Sequence, residues 1–193
     1  MSSFASASVT HRDRLLAAAA RFTAEHGWGE LTMAKLADLV GVSRQTVYNE
    51  IGGKPQLAEA MVLRELQIFL DVVDSAFQDN PKDLVRAIEA AAFRVLGLAR
   101  TDPLLHAILS SSQGADSELL PLLTTHSEPL LGAAGQMIRE HVATYDVELD
   151  ENRVEVLIDM VVRLVLSHVM QPTAQPAETA ETIAWIAERV LGV

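Results

Sequence analysis

Hydrophobic positions in this chain recur at helical spacing almost throughout, and no stretch alternates apolar and polar residues as a half-buried strand would. From His11 to His26, Leu15, Ala19 and Phe22 share one face, and Gly27 is a natural stop. Met33 to Val40 and Arg44 to Ile51 read as two short helices around a tight turn. Lys54 to about Gln78 is a long helix carrying Leu57, Met61, Ile68, Val72 and Phe77. Asn80-Pro81 predicts a cap and first-turn proline for a helix reaching about Arg100, and Asp102-Pro103 repeats the signal for a short sixth helix. A helix from about Ser117 is interrupted near Glu128-Pro129 and continues to about Tyr145. Asp150 caps Glu151 to Met170, and Pro176 to Leu191 forms the last helix. The pattern therefore predicts an all-α chain of about nine helices.

The stretch Leu31 to Leu57 carries the most specific signal. Thr32 is placed to cap a helix in which Ala34, Leu36, Ala37, Leu39 and Val40 provide apolar contacts. Gly41 sits where that helix must stop, because glycine enters the left-handed conformation without a Cβ penalty. Val42 turns inward, and Ser43 caps the next helix. There Val47 and Ile51, one turn apart, face the body and leave Arg44, Gln45, Thr46, Tyr48 and Asn49 outside. Two helices around such a turn have the shape of a helix-turn-helix DNA reader. Arg44 and Gln45 are suited to base edges in a major groove. Thr46, Tyr48 and Asn49 suit phosphates. Lys54, with the free N–H groups at its helix start, forms a phosphate site. Thr32, Lys35 and Ser43 complete the candidate DNA-contacting set. Taken singly, each has a plainer reading as a cap, a packing residue or a solvated surface group; the joint spacing favours DNA.

Residues 12 to 57 resemble the DNA-binding domain of TetR-family transcriptional repressors. The matching pieces are Leu15-Leu16-Ala17-Ala18-Ala19 with Phe22, and Glu25-His26-Gly27-Trp28. They continue with Leu31-Thr32-Met33, Leu36-Ala37, Gly41-Val42-Ser43, Thr46-Val47-Tyr48 and Gly53-Lys54 with Leu57. One position departs: Ile51 stands where the family usually has phenylalanine, an inward packing site. The resemblance implies a homodimer formed through the last two long helices, and repression as the sign of regulation.

Composition and charge adjust this picture. The chain has 193 residues, 49% hydrophobic but only 5% aromatic, a balance that favours helices over sheet. That length suits a mobile N-terminal arm (1–10), a helix-turn-helix module (11–54) and a helical effector-binding and dimerisation domain (55–193). With no cysteine, a disulfide framework, thiolate zinc site and cysteine nucleophile are excluded. The first residues lack a cationic start followed by an apolar run, so no signal peptide is expected and a cytoplasmic location is. Net charge is −11, the wrong sign for a DNA binder. Its distribution answers in part. Residues 1 to 54 carry six basic and five acidic side chains, whereas the remainder carries nine and twenty-one. The acidic excess lies in the body, so DNA affinity should be salt-sensitive.

Val154 to Met170 is apolar nearly all round, so it must be buried on several sides. Asp159 and Arg163 interrupt it short of a membrane span. A homodimer through 154–170 and 176–191 accounts for this better than a central helix in a monomer. Two recognition helices on a two-fold axis would read a palindromic operator. An apolar small-molecule effector bound within residues 80 to 170 would release it, with the fourth helix as transmitter and the sixth helix and Ser110–Asp116 as gates. Arg94, His106, Gln113, Thr124, His126, His141, Arg163 and His168 are polar groups among apolar neighbours, though an Asp159–Arg163 ion pair is favoured over a ligand role for Arg163. The histidines lack metal-ligand spacing, and no metal or cofactor is expected. An enzyme is disfavoured: there is no GxSxG, HExxH or phosphate-cradling glycine loop. A DNA-binding activator or chromosome-organising factor without an effector is the alternative, and a DNA-free interaction module a further one.

Overall fold

The computed structural model describes residues 10–110, 119–124 and 127–192. The expected N-terminal arm apart from Thr10, and most of Ser110–Asp116, with Gln113 and His126, lie outside them. Ten helices are present among the described residues: α1 (His11–His26), α2 (Met33–Val40), α3 (Arg44–Ile51), α4 (Lys54–Asp79), α5 (Leu84–Ala99), α6 (Pro103–Ser110), α7 (Leu120–Leu123), α8 (Glu128–Val142), α9 (Glu151–Met170) and α10 (Pro176–Leu191). Only α7 is shorter than two turns, so the expected all-α architecture holds.

The chain divides into two compact units. The first takes in residues up to Arg64 together with Pro103–Leu122, so α6 groups with the helix-turn-helix rather than with the later helices. In it α1 packs against α2, α3 and α6. Leu15, Trp28, Leu31, Leu36, Val47, Leu57 and Met61 are almost wholly buried there. Leu39 departs from expectation. The buried residues of α2 are Met33, Leu36 and Ala37, and Leu39, at 52% exposure, stands off that stripe.

Thr23, on α1, is 1% exposed, and its hydroxyl is the one buried side-chain polar atom without a hydrogen bond among the described residues. An unsatisfied buried hydroxyl costs about 1–3 kcal/mol, whereas an apolar group of the same shape does not. Thr23→Val is therefore expected to leave stability unchanged or raise it by about 1 kcal/mol. Urea unfolding reads this; a loss of 1 kcal/mol or more would show that the hydroxyl is paired.

The second unit, Glu65–Asp102 with Leu123–Val193, is built around α5 and α10. Their buried faces include Ala87, Ile88, Ala91, Val95, Ala180, Ile183 and Ala187. The part of α4 in this unit is fastened by polar contacts as well as packing. Asp74 meets His141 Nε2 at 3.0 Å, and the His141 ring stacks on Phe77 with centroids 4.8 Å apart. Arg94 bonds Asp79 at 2.6 Å and the Ser75 hydroxyl at 2.9 Å. The Tyr145 hydroxyl donates to the Asn80 carbonyl at 2.8 Å, and burial pushes this phenol's pKa upward.

Two boundaries differ from the sequence reading. Asn80-Pro81 does not start α5. Asp83 is the cap, accepting the Arg86 amide at 2.9 Å, while the Asn80 side chain turns back to the Ala76 carbonyl and closes the end of α4. The break expected near Glu128-Pro129 falls before Glu128: α7 ends at Leu123, and Pro129 occupies the first turn of α8, where its missing N–H costs nothing.

Candidate nucleic-acid interface

Three local devices hold the helix-turn-helix. The Thr32 hydroxyl accepts the Lys35 amide at 3.1 Å, and the Ser43 hydroxyl accepts the Thr46 amide at 3.0 Å, so both caps form as expected. Gly41, with φ of 74° and ψ of 40°, supplies the left-handed turn between them. From α1, Arg14 reaches the Val40 carbonyl at 3.2 Å and Arg12 reaches the Glu50 carbonyl. These two arginines close the carbonyl ends of α2 and α3. The α1 start is itself locked by a capping box, in which bonds from the Thr10 hydroxyl and amide hold the Asp13 carboxyl below its ordinary pKa.

On α3, Val47 (0% exposed) and Ile51 (7%) face inward. Arg44, Gln45, Tyr48 and Asn49 are exposed, and Thr46 is half-buried. Gln45 Nε2 donates to Asn49 Oδ1 at 2.9 Å, joining the two amides along one face. The Ser43 and Thr46 hydroxyls lie 2.8 Å apart at the N-terminal end.

The lysines are more occupied than the sequence suggests. Lys35 Nζ bonds the Glu30 carbonyl at 2.8 Å and the Glu30 carboxylate at 3.1 Å. Lys54 Nζ donates to the Trp28 carbonyl at 3.0 Å and stands over the Trp28 ring at 4.7 Å. The Gly53 amide beside it already bonds the Gln56 side chain at 2.9 Å. That fills one of the N–H groups expected to be free at the start of α4. Lys54 nonetheless keeps two donors beyond the bond to Trp28. The bracing roles of Arg12, Arg14 and Gln56 were missed in the sequence. Only Gln56 had a local signal, lying three residues after Gly53 at capping-box spacing.

In the second unit, α9 buries only Leu157 and Ile158 fully. Val156 is 59% and Met160 48% exposed, one helical turn apart, and on α10 Trp185 is 57% and Val190 43% exposed. One chain thus covers only part of the α9 surface that was expected to be buried on several sides. Asp159 and Arg163 pair at 2.8 Å as anticipated, and the contact raises the arginine's pKa. His168 bonds the Leu164 carbonyl at 2.8 Å within its own helix. A cavity of about 20 Å³ is lined by aliphatic side chains alone, among them Leu84, Ile138, Val147, Leu157 and Leu191. Among the described residues no cluster has metal-ligand composition, and no helix is long and apolar enough to cross a membrane.

The model of the tetR family of bacterial regulatory proteins matches residues 15–61. The model of the bacterial tetracyclin repressor C-terminal domain matches residues 83–189. The HTH-type transcriptional regulator AlkX of Mycobacterium tuberculosis is 29% identical over 173 residues, spanning 90% of this chain and 81% of that protein. The crystal structure of the TetR-family repressor AlkX from a Dietzia strain, implicated in biodegradation of n-alkanes, superposes with a TM-score of 0.76 at 21% identity. It covers 95% of this chain and 96% of its own. The multidrug binding protein EbrR, complexed with imidazole, superposes at 0.63 and 19% identity, covering 95% and 96%. At these identities the two structures speak for the fold.

Proposed function

We propose, from the premise that this chain belongs to the TetR family of bacterial regulatory proteins, that its α3 face is the operator-reading surface of a ligand-released repressor. The family is one of DNA-binding transcriptional regulators, not of enzymes, and its members act as dimers. The observation that carries the reading is the α3 surface itself. An eight-residue helix is capped at Ser43, seated by Val47 and Ile51, braced from α1, and presents Arg44, Gln45, Tyr48 and Asn49 outward. In this reading Arg44, Gln45, Thr46, Tyr48 and Asn49 contact DNA directly. Thr32 and Ser43 offer the helix N-termini to phosphates, and Lys35 and Lys54 lend their remaining N–H donors. Two copies joined through Val154–Met170 and Pro176–Leu191 read a palindrome in the cytoplasm, with half-sites about 34–36 Å apart or a multiple of it.

The effector we infer is an apolar molecule of the saturated-chain class. Two things support it: the wholly aliphatic lining of the cavity in the second unit, and the n-alkane connection of the Dietzia repressor. At about 20 Å³ the cavity has room for about one water-sized molecule and not for a hydrocarbon chain. An effector must therefore part the lining helices, and it releases DNA only by favouring the parted state.

A gel-shift assay with DNA upstream of the protein's own gene tests the reading. Binding is expected, weakened about tenfold or more by Arg44→Ala and by Tyr48→Phe. Variants that bind as tightly as wild type would refute the α3 assignment. A thermal-shift series of hydrocarbons, alcohols and acids tests the effector. A rise in melting temperature with chain length is expected, and no stabilising member would refute an apolar effector.

A further inference from the structure

On a helix that advances about 100° per residue, the side chains that reach furthest into a groove stand opposite the buried stripe. In α3 that stripe is Val47 and Ile51. Asn49 lies opposite it and Gln45 about 40° from that line, whereas Tyr48 and Thr46 fall to either side. Arg44 lies nearer the buried stripe than the crest. The crest is therefore not the arginine but two neutral amides, and they are bonded to each other at 2.9 Å.

We infer that Gln45 reads the N6–N7 edge of an adenine in each operator half-site and that Asn49 is its positioning residue; this rests on the operator-reading role of α3 proposed above. A side-chain amide offers an adenine one acceptor for N6–H and one donor for N7. The bond to Asn49 uses a single Nε2 hydrogen of Gln45. The Oε1 acceptor and the second Nε2 hydrogen remain, which is the pair adenine requires. The same bond removes rotamer freedom that Gln45 would otherwise lose on binding, so the reading group is set before DNA arrives. Arg44, off the crest and at the helix N-terminus, serves the flanking phosphate rather than a guanine. Tyr48, 51% exposed on one flank, serves the backbone on that side.

The chemistry predicts a change of specificity, not merely a loss. Glutamate at position 45 has acceptors only, and the base edge offering donors alone in the major groove is cytosine N4. The test selects binding sites from a random duplex pool with the full-length wild-type protein. Affinities are then measured for duplexes altered one base pair at a time. Wild type is expected to prefer A·T at one pair of each half-site by roughly tenfold to a hundredfold. Gln45→Glu should move the optimum at that pair alone to C·G. Asn49→Ala should flatten the preference there by about threefold or more, leaving the other pairs as they were. Asn49→Asp keeps an oxygen to accept from Gln45, so it should retain the adenine preference while lowering affinity at every sequence. Both positions are solvent-exposed, and unchanged far-UV circular dichroism confirms the fold of all three variants. Uniform weakening of Gln45→Glu with no shifted base pair would overturn the inference, as would loss of the preference in Asn49→Asp. If wild type selects no sequence, the operator-reading role fails as well. That outcome is distinct from wild type selecting a site that Gln45 does not read.

Discussion

Met160→Glu is expected to make the protein a monomer at micromolar concentration while leaving the fold of each chain intact. Met160 is 48% exposed and Val156, one turn earlier, 59%. A carboxylate at position 160 thus meets water in the isolated chain and costs it almost nothing. In a two-fold interface the substitution appears twice, because the same patch faces itself. Each carboxylate must then lose its hydration against apolar neighbours, at a cost of several kcal/mol per ion without a partner. We expect the dimer dissociation constant to rise by at least about a hundredfold, equivalent to about 2.7 kcal/mol. Trp185→Glu should act in the same direction from α10, where the ring is 57% exposed. Operator affinity should fall with it, since two half-sites are no longer read by one linked body. Leu39→Glu is the control: it places the same charge on an equally exposed leucine of α2 and should leave the dimer intact. Sedimentation equilibrium reads all three. A dimeric Met160→Glu would remove α9 from the interface.

The second large effect concerns the DNA-reading unit. Trp28, 2% exposed in the link between α1 and α2, is the largest side chain buried almost completely. Its carbonyl accepts Lys54 and the Leu31 amide, and its ring lies beneath the Lys54 ammonium. One residue therefore ties the α1–α2 link to the start of α4. Trp28→Ala leaves a cavity and removes the ring beneath the Lys54 ammonium, and buried tryptophan truncations cost about 3–5 kcal/mol. In a unit this small that shifts the melting midpoint by roughly 15 °C or more. Amide exchange in α1, α2 and α3 should accelerate accordingly, and DNA binding should be lost at 37 °C. Lys54→Met separates bracing from phosphate contact. If Lys54 also holds a phosphate, the slope of log affinity against log salt shrinks by about one. If it only braces Trp28, the slope is unchanged and the melting temperature alone falls.

What the sequence revealed and what it hid divide by distance along the chain. Thr32, Ser43 and Asp150 each bond an amide three residues on, and Gly41 takes the left-handed turn. All four are local devices whose partners lie within one turn, so residue type and spacing suffice to place them. The Val47–Ile51 stripe is local in the same sense. Asn80 and Asp83 show the limit, because both are good caps three residues apart. Asp83 prevails at α5 since Asn80 is already engaged with the Ala76 carbonyl. Leu39 shows another, standing about 100° off the stripe centred between Leu36 and Ala37, where an apolar residue in a short helix gains little burial. Contacts between distant positions were not legible at all. Arg12 with Glu50, Arg14 with Val40 and Lys54 with Trp28 lie 26 to 38 residues apart, and nothing in the intervening sequence marks them. The grouping of α6 with the first unit has the same origin, a packing of α1 on a helix some eighty residues later. For the candidate site, the exposure of Arg44, Gln45, Tyr48 and Asn49 was legible, but the half-burial of Thr46, the exposure of Glu50 and the order of the exposed residues were not. The Gln45–Asn49 bond, on which the proposed weight of Gln45 over Arg44 in base reading rests, shows only in the folded helix.

Selection of duplex DNA by the purified protein, with the mass of the resulting complex determined by sedimentation, tests two-fold operator reading. A two-fold regulator predicts an enriched inverted repeat, half-sites about one helical turn or a multiple of it apart, and two chains or a multiple of two on each site. No enrichment over the starting pool, or a single unrepeated motif bound by one chain, would contradict the account.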